Sequence, residues 1–305
     1  MLKNKADLRT LAFMVVITGL LIYQWSLPAM SWPLFLFANW MAVSVAVMAH
    51  NHNHVRMWRN DTLNMISDYW ITCFYGYPVF AWIPTHNTNH HKHNNRIPDY
   101  TITYRVTEGN NLFSLLTYPT VSGYYQQEPN RRFMRETFRK NKKRFAHYMA
   151  QFVILVAFIG VGLLIDWKKA LLYIVIPQQF ALFMVLVFNY IQHVHADEES
   201  ETNHSRNFTG AIVNFFWFNN GYHTVHHDMP GRHWSENKKA HEAVAQTIDP
   251  ALNEKNWAWY MLRAYVLGLV IPPLRTRSMR LARLARKGDG TPVAQSVVAD
   301  VAPAV

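Results

Sequence analysis

PLFLFANWMAVSVAVMAHNHNH, residues 33–54, decides how this chain is read: residues 33–49 carry no charge, and three histidines then alternate with two asparagines. An uncharged apolar run of this length is just sufficient to cross the hydrocarbon core of a bilayer. His50 and His54 follow at the i, i+4 spacing that sets two side chains on one helix face. A membrane helix ending in paired imidazoles puts metal-ligand chemistry at a membrane surface.

Working outward, residues 11–27 (LAFMVVITGLLIYQWSL) form a second uncharged run, and the short link between the two is bounded by Pro28 and Pro33. Proline suits the end of one helix and the first turn of the next, so the pair reads as a helical hairpin. A signal peptide is the alternative for the first run, but no small-residue cleavage site leads into an obviously soluble domain. A second pair lies at 145–165 and 170–191, separated by DWKK. Of the 30 Lys and Arg residues only Lys168 and Lys169 fall on the far side of the hairpins. The positive-inside bias therefore places both termini and the long polar segments in the cytosol. Residues 61–83, interrupted by Asp68, Gly76 and Pro78, and residues 257–271, carrying Arg263, read as helices lying in or dipping into the interface, with a fifth crossing at 63–83 as the alternative for the first.

The expected fold class is thus all-α integral membrane, multi-pass: four transmembrane helices in two hairpins with a cytosolic helical cap carrying the histidines, over residues 1–280. Residues 281–305 are expected to be a basic amphipathic end and disordered tail. The single cysteine, Cys73, excludes an internal disulfide framework and any thiolate or iron–sulfur site, so metal chemistry here must use nitrogen or oxygen. The net charge of +11 suits anionic lipid headgroups or an acidic redox protein.

Thirteen of the 16 histidines fall in four short segments, at 50–54, 86–93, 193–195 and 223–233. Helical spacing lets His50 converge with His54, His86 with His90, Asn189 with His193, and His223 with His226 and His227, while His91, displaced by one position, reaches a second metal. His147, His204 and His241 read as ordinary hydrogen-bonded histidines, and His52, His93, His195 and His233 as outer donors or spare ligands. Nine well-spaced histidines exceed what one tetrahedral zinc requires, so two ions fit the inventory. Imidazole accepts zinc, copper or iron, and no HExxH motif points to a zinc protease. Iron suits activation of dioxygen against an unactivated C–H bond, which side chains cannot attack themselves.

The segments HNHNH, HNTNHH, NYIQH and HTVHH, in that order and at the ends of paired spans, resemble the histidine boxes of the membrane fatty-acid desaturase superfamily, which includes alkane hydroxylases. The resemblance covers about residues 10–275. It implies that His50, His54, His86, His90, His91, His193, His223, His226 and His227 ligate two iron ions, with Asn189 a water-mediated partner and dioxygen as co-substrate. It also implies a fatty acyl or hydrocarbon substrate in a surrounding of membrane lipid, and no nucleic-acid partner. The HxxxH first box and HxxxHH second box depart from the acyl-CoA delta-9 pattern and lean towards the alkane-hydroxylase and acyl-lipid or free-acid branches. That leaves desaturation, hydroxylation and decarboxylation to a terminal alkene as outcomes of one chemistry. No HPGG haem motif is present, so electrons must come from a separate donor of ferredoxin, rubredoxin or cytochrome b5 type. The basic run 131–144 reads as positive-inside topology and lipid contact, or more sharply as a docking face for that donor. Trp70, Tyr75, Trp82, Trp217 and Tyr222 read either as walls of an acyl channel or as interfacial anchors. A membrane metal transporter is the competing class, but it needs ionisable groups inside its spans, and these spans offer only amides such as Asn39 and Gln151.

Overall fold

A computed structural model of the chain describes residues 1–286 and 288. Its elements in order are α1 (Asp7–Ser26), α2 (Trp32–His54), α3 (Asp61–Tyr75), a π-helical segment (Ile83–His90) running into the short α4 (His91–His93), α5 (Leu112–Lys140), α6 (Lys142–Ala170), α7 (Ile176–His193), α8 (Ala211–Phe216), α9 (His223–Asp228), α10 (Asn237–Val244), α11 (Trp257–Met261) and α12 (Met279–Arg286). The only sheet among the described residues is a two-residue parallel pair, Asn207–Phe208 against Asn253–Glu254.

Three helical stretches are long and apolar enough to cross a membrane: Asp7–Ser26, Trp32–His54 and the 52 residues of Lys142–His193. A straight helix of that last length would reach about 78 Å, far more than a bilayer is thick. It is not straight. Asp166 leaves helical geometry at φ −156°, ψ 99°, and its carboxylate accepts from the backbone N–H groups of Lys168 and Lys169, capping the second arm. Gly162 on the first arm lies against Ile174 and Ala170 on the second, so the chain folds back on itself. The stretch is therefore two helical arms. Lys169 Nζ then donates to the carbonyls of Trp25 and Leu27, 2.6 and 3.1 Å away, tying this turn to the turn after α1. Both hairpin turns sit together, and the histidine-bearing ends of α2 and α7 lie opposite them.

The core is α2 packed on α7, with Val43, Val45, Ala46, Val47 and Ala49 of one helix buried among Ala181, Val187 and Ile191 of the other. The small side chains let the helices approach closely, the usual device where lipid supplies no hydrophobic drive. The outward faces stay apolar: Val15 and Ile22 on α1 and Val156 and Leu164 on α6 are exposed. An apolar surface this extensive needs a lipid or protein cover.

The segment 257–271 is helical only in short pieces, α11 followed by π and 3-10 turns. The basic end expected from Leu281 begins earlier, at Met279, and is an ordered helix as far as Arg286. Arg280 is buried against Glu198 and Glu108 with its guanidinium over the Tyr104 ring, and Arg283 pairs with Asp197 and Glu198. These pairs bind α12 to the loops that follow the second and third histidine segments. The remainder of the expected tail lies outside the described residues.

Candidate metal centre

Nine histidines from four separate stretches come together in two groups. His50, His54, His86, His91 and His226 form one, and His90, His193, His223 and His227 the other; within each group one ring nitrogen from every histidine lies within 4.8 Å of the others. In the first, Nε2 of His50 faces Nε2 of His226 at 2.9 Å, and Nε2 of His91 faces those of His54 and His86 at 3.2 and 3.1 Å. In the second, His193 Nε2 stands 3.1 Å from His90 Nε2 and 2.9 Å from His223 Nε2, and His227 meets His223 at 3.1 Å. The groups adjoin: the His91 and His227 rings are 4.5 Å apart between centroids.

These nitrogens point at shared centres, and the spacing fits a cation there. An imidazole nitrogen binds a first-row divalent ion at about 2.1 Å, so two ligands of one ion stand about 3.0–3.4 Å apart. Burial, reinforced by the neighbouring imidazoles, pushes protonation of His86, His223, His226 and His227 well below the ordinary histidine range. They are neutral donors at neutral pH, the form a metal requires. Neither group contains a carboxylate, so the donor set is all nitrogen, acceptable to iron, copper or zinc.

The expected pairing along the second and fourth segments differs in the structure, for a local reason. Residues 83–90 are π-helical, and the His91 N–H bonds the His86 carbonyl five residues back. The wider turn stacks i on i+5, so His86 is grouped with His91 and not with His90. In α9 the i, i+4 pair His223 and His227 stays together, while His226 turns into the other group. Adjacent residues on a helix point about 100° apart, so each histidine doublet supplies both groups.

Asn189 is in neither nitrogen cluster as a hydrogen-bonded partner. Its Nδ2 donates to the Tyr118 hydroxyl at 2.6 Å, and that hydroxyl donates to the Thr101 carbonyl at 2.8 Å. The residue nonetheless lines the cavity beside the two groups.

Sequence reasoning missed Asp99, which is fully buried. Its Oδ2 accepts from His90 Nδ1 at 2.7 Å and from the Asn95 N–H; its Oδ1 accepts from the Thr101 hydroxyl and N–H. Burial alone would raise its carboxyl, but the His90 imidazole and the Thr101 donors outweigh this and hold it well below the usual carboxylate range. The proton on His90 is thereby fixed at Nδ1 and the Nε2 lone pair turned towards the second group. The only signal in sequence was an acidic residue a short way past a histidine doublet, in a loop with no periodicity.

The other histidines are elsewhere. His147 meets Asp68, Tyr69 and Gln151; His52 lies 3.4 Å from Asp68; His195 meets the Glu108 carbonyl and Thr276; His233 meets Asp7 and Ser235. His204 lies beside Asp228, His241 packs on Tyr222, and His93 is in neither group.

A cavity of about 530 Å³ reaches both groups, with His50, His86 and His223 in its wall. Its sides are Val47 of α2, Leu182, Val185 and Leu186 of α7, and one face of α5; among the described residues no Lys, Arg, Asp or Glu lines it. Tyr75 and Trp82 are part of this wall. Trp217 is buried against Trp40 and Phe188, and Trp70 stacks on Phe74 with its N–H on Thr18, so these are packing residues.

Long apolar helices that end in two all-imidazole groups beside a largely apolar cavity define a histidine-cluster protein of membrane type. The chain belongs to the fatty acid desaturase family: the family model of that description matches residues 24–259. The matched span contains all nine clustered histidines. No curated protein and no solved structure gives a match.

Proposed function

We propose that the chain is an oxygen-dependent di-iron oxidoreductase that attacks an unactivated C–H bond of a fatty acyl chain, with desaturation as its reaction. One observation carries this: a single apolar cavity opens onto both imidazole groups. His50, His54, His86, His91 and His226 would hold one iron, and His90, His193, His223 and His227 the other. When bound, reduced iron supplies with dioxygen the oxidising power that side chains lack. The rest is positioning. Val47, Leu182, Val185 and Leu186 hold an alkyl chain against the groups and exclude water. Asp99 fixes the His90 tautomer. Asn189, anchored through Tyr118, presents its amide to the cavity where it orients a water or an oxygen molecule. The same reading takes the two arms of 142–193 with α1 and α2 as four membrane crossings, with the imidazole groups at the cytosolic face. Electrons come from a separate small redox protein.

The neutral lining of the cavity equally supports hydroxylation, which shares the first hydrogen loss with desaturation and differs only after it. Anaerobic loading with iron, then a generic reductase, mixed lipids and oxygen, with mass analysis of products, tests the proposal. Loss of two hydrogens is expected, with about two irons per chain. Gain of one oxygen would indicate hydroxylation, and loss of carbon dioxide with a shortened alkene would indicate decarboxylation. No oxygen-dependent product from any lipid, with both irons bound, would refute the proposal.

A further inference from the structure

The cavity is closed on one side by α5, and the residues that face it recur along one helix face: Pro119, Thr120, Gly123, Gln126, Gln127 and Asn130. The Pro119 end lies near the imidazoles. Tyr118 bonds Asn189 and the Thr101 carbonyl, and the Thr101 hydroxyl is 2.8 Å from His90 Nδ1. The Asn130 end lies about 16 Å further along at the rise of an α-helix. There the lining turns to amides, and Tyr124 and Gln127 are exposed. Between the two ends stands Gly123, where a Cβ would meet nothing within 4 Å.

A glycine inside a helix weakens it relative to alanine, because it gains backbone entropy on unfolding and packs nothing. At Gly123 neither a turn nor a close backbone approach requires it. The helix continues for more than ten residues on either side, and the neighbouring space is empty. What the missing side chain leaves is width in the cavity, opposite the apolar wall of α7. A side chain there would enter the passage with its Cβ clear of every atom within 4 Å.

Resting on the oxidase reading above, we propose that Gly123 determines substrate length: it keeps open the passage between the metal-facing chamber and the reach towards residues 126–130. The ligand class that fits is an unbranched, uncharged alkyl segment. Among the described residues no Lys, Arg or carboxylate lines the passage, so a charge buried in it would find no partner there. From Gly123 to Asn130 the helix advances about 10 Å, the span of roughly eight chain bonds at about 1.2 Å each. Filling position 123 removes that reach and leaves the chamber at the imidazoles intact.

The test uses the full-length iron-loaded protein in lipid discs, offered saturated chains of eight to eighteen carbons. In Gly123→Leu the longest chains should lose at least ten-fold in product while the shortest are converted at nearly the wild-type rate. Gly123→Ala should fall between the two and also unfold at a slightly higher temperature. Iron per chain should be unchanged. Gly160→Leu is the control, since Gly160 on α6 has equally open surroundings and does not line the cavity. It should keep the wild-type length profile. Passage is also read without turnover, by photocrosslinking with hexadecanoic acid carrying a diazirine at one end of the chain or the other. One of the two probes should label the peptide containing residues 126–130 in wild type, and neither should in Gly123→Leu. An unchanged length profile, a uniform loss at all lengths, or labelling that survives Gly123→Leu would overturn the assignment. If wild type makes no product, the oxidase reading fails and the crosslinks alone decide the passage.

Discussion

Asp99 lies in neither imidazole group and yet holds a member of one. It accepts four short hydrogen bonds, and one of them sets the tautomer of His90. Asp99→Asn keeps the shape but replaces an anion that accepts from an imidazole with an amide that can also donate. The expected result is a fall of about 10–100-fold in metal affinity or activity, the usual cost of losing such a partner. Equilibrium dialysis against iron, read beside product formation, checks it; a variant with wild-type affinity and rate would show the bond to be ornamental. The carboxyl is held below its unfolded value of about 3.9. Its contribution is therefore fully present above that pH and is lost only as pH falls through the lower folded value. Asn189 makes the complementary case. Its anchor is Tyr118 and its position is the cavity wall, so Asn189→Ala should retain most of the iron and lose at least ten-fold in turnover. Tyr118→Phe should reproduce part of that loss if the amide works by being held. Wild-type turnover in Asn189→Ala would reduce it to a helix-end residue. That Asn189 would lie by the centre was legible from its place four residues before His193. Its hydrogen-bond partner was not, because Tyr118 is 71 residues away on another helix.

At the scale of elements, the sequence made the existence of the boxes plain and misled about their internal pairing. Spacing arguments assume an α-helix, and residues 83–90 are not one. One residue more per turn regroups His86 with His91 and sends His90 across to the other cluster. Nothing in the periodicity of IPTHNTNH announces a π-helix. The fourth box depends on a comparable local constraint. Gly221, two residues before His223, donates its N–H to Asn214 and accepts from the Phe208 N–H. A Cβ there would stand 2.1 Å from the Phe208 carbonyl oxygen, which is backbone and cannot swing away. Gly221→Ala should therefore displace α9 and the three histidines it contributes to the two imidazole groups. The expected outcome is a chain that inserts but binds less iron, measured as iron per chain after purification from membranes. Full iron occupancy would mean that the 207–208 strand yields more easily than its burial suggests.

The whole molecule is organised by two hairpins whose turns meet on one side and whose histidine ends meet on the other, and this makes topology the sharpest global test. Hydropathy located all four apolar runs, and the sequence placed Lys168 and Lys169 at the second turn. What sequence could not supply is why the two turns meet. Lys169 bonds the carbonyls of Trp25 and Leu27, so one of those two charges is spent closing the first hairpin. The near side carries the basic run 131–144 at the junction of α5 and α6, where Arg and Lys favour the cytosolic face. The only native cysteine, Cys73, is buried, so single cysteines introduced at the surface can be read against a low background. Phe138→Cys, at an exposed position of α5, should react with a membrane-impermeant maleimide only when the reagent has access to the cytosolic side. Lys168→Cys should react only from the opposite side. Cysteines placed at residue 3 and at residue 288 should behave as Phe138→Cys does, because the four crossings proposed above would return the chain to its starting face. On the proposed reading the imidazole groups follow α2 and α7 to that same face, and the side on which residue 138 is labelled would also be the side from which the proposed redox partner approaches. Labelling of positions 138 and 168 from one side would leave the two arms of 142–193 uncrossed, and the shared centre built on the ends of α2 and α7 would then need a different membrane placement.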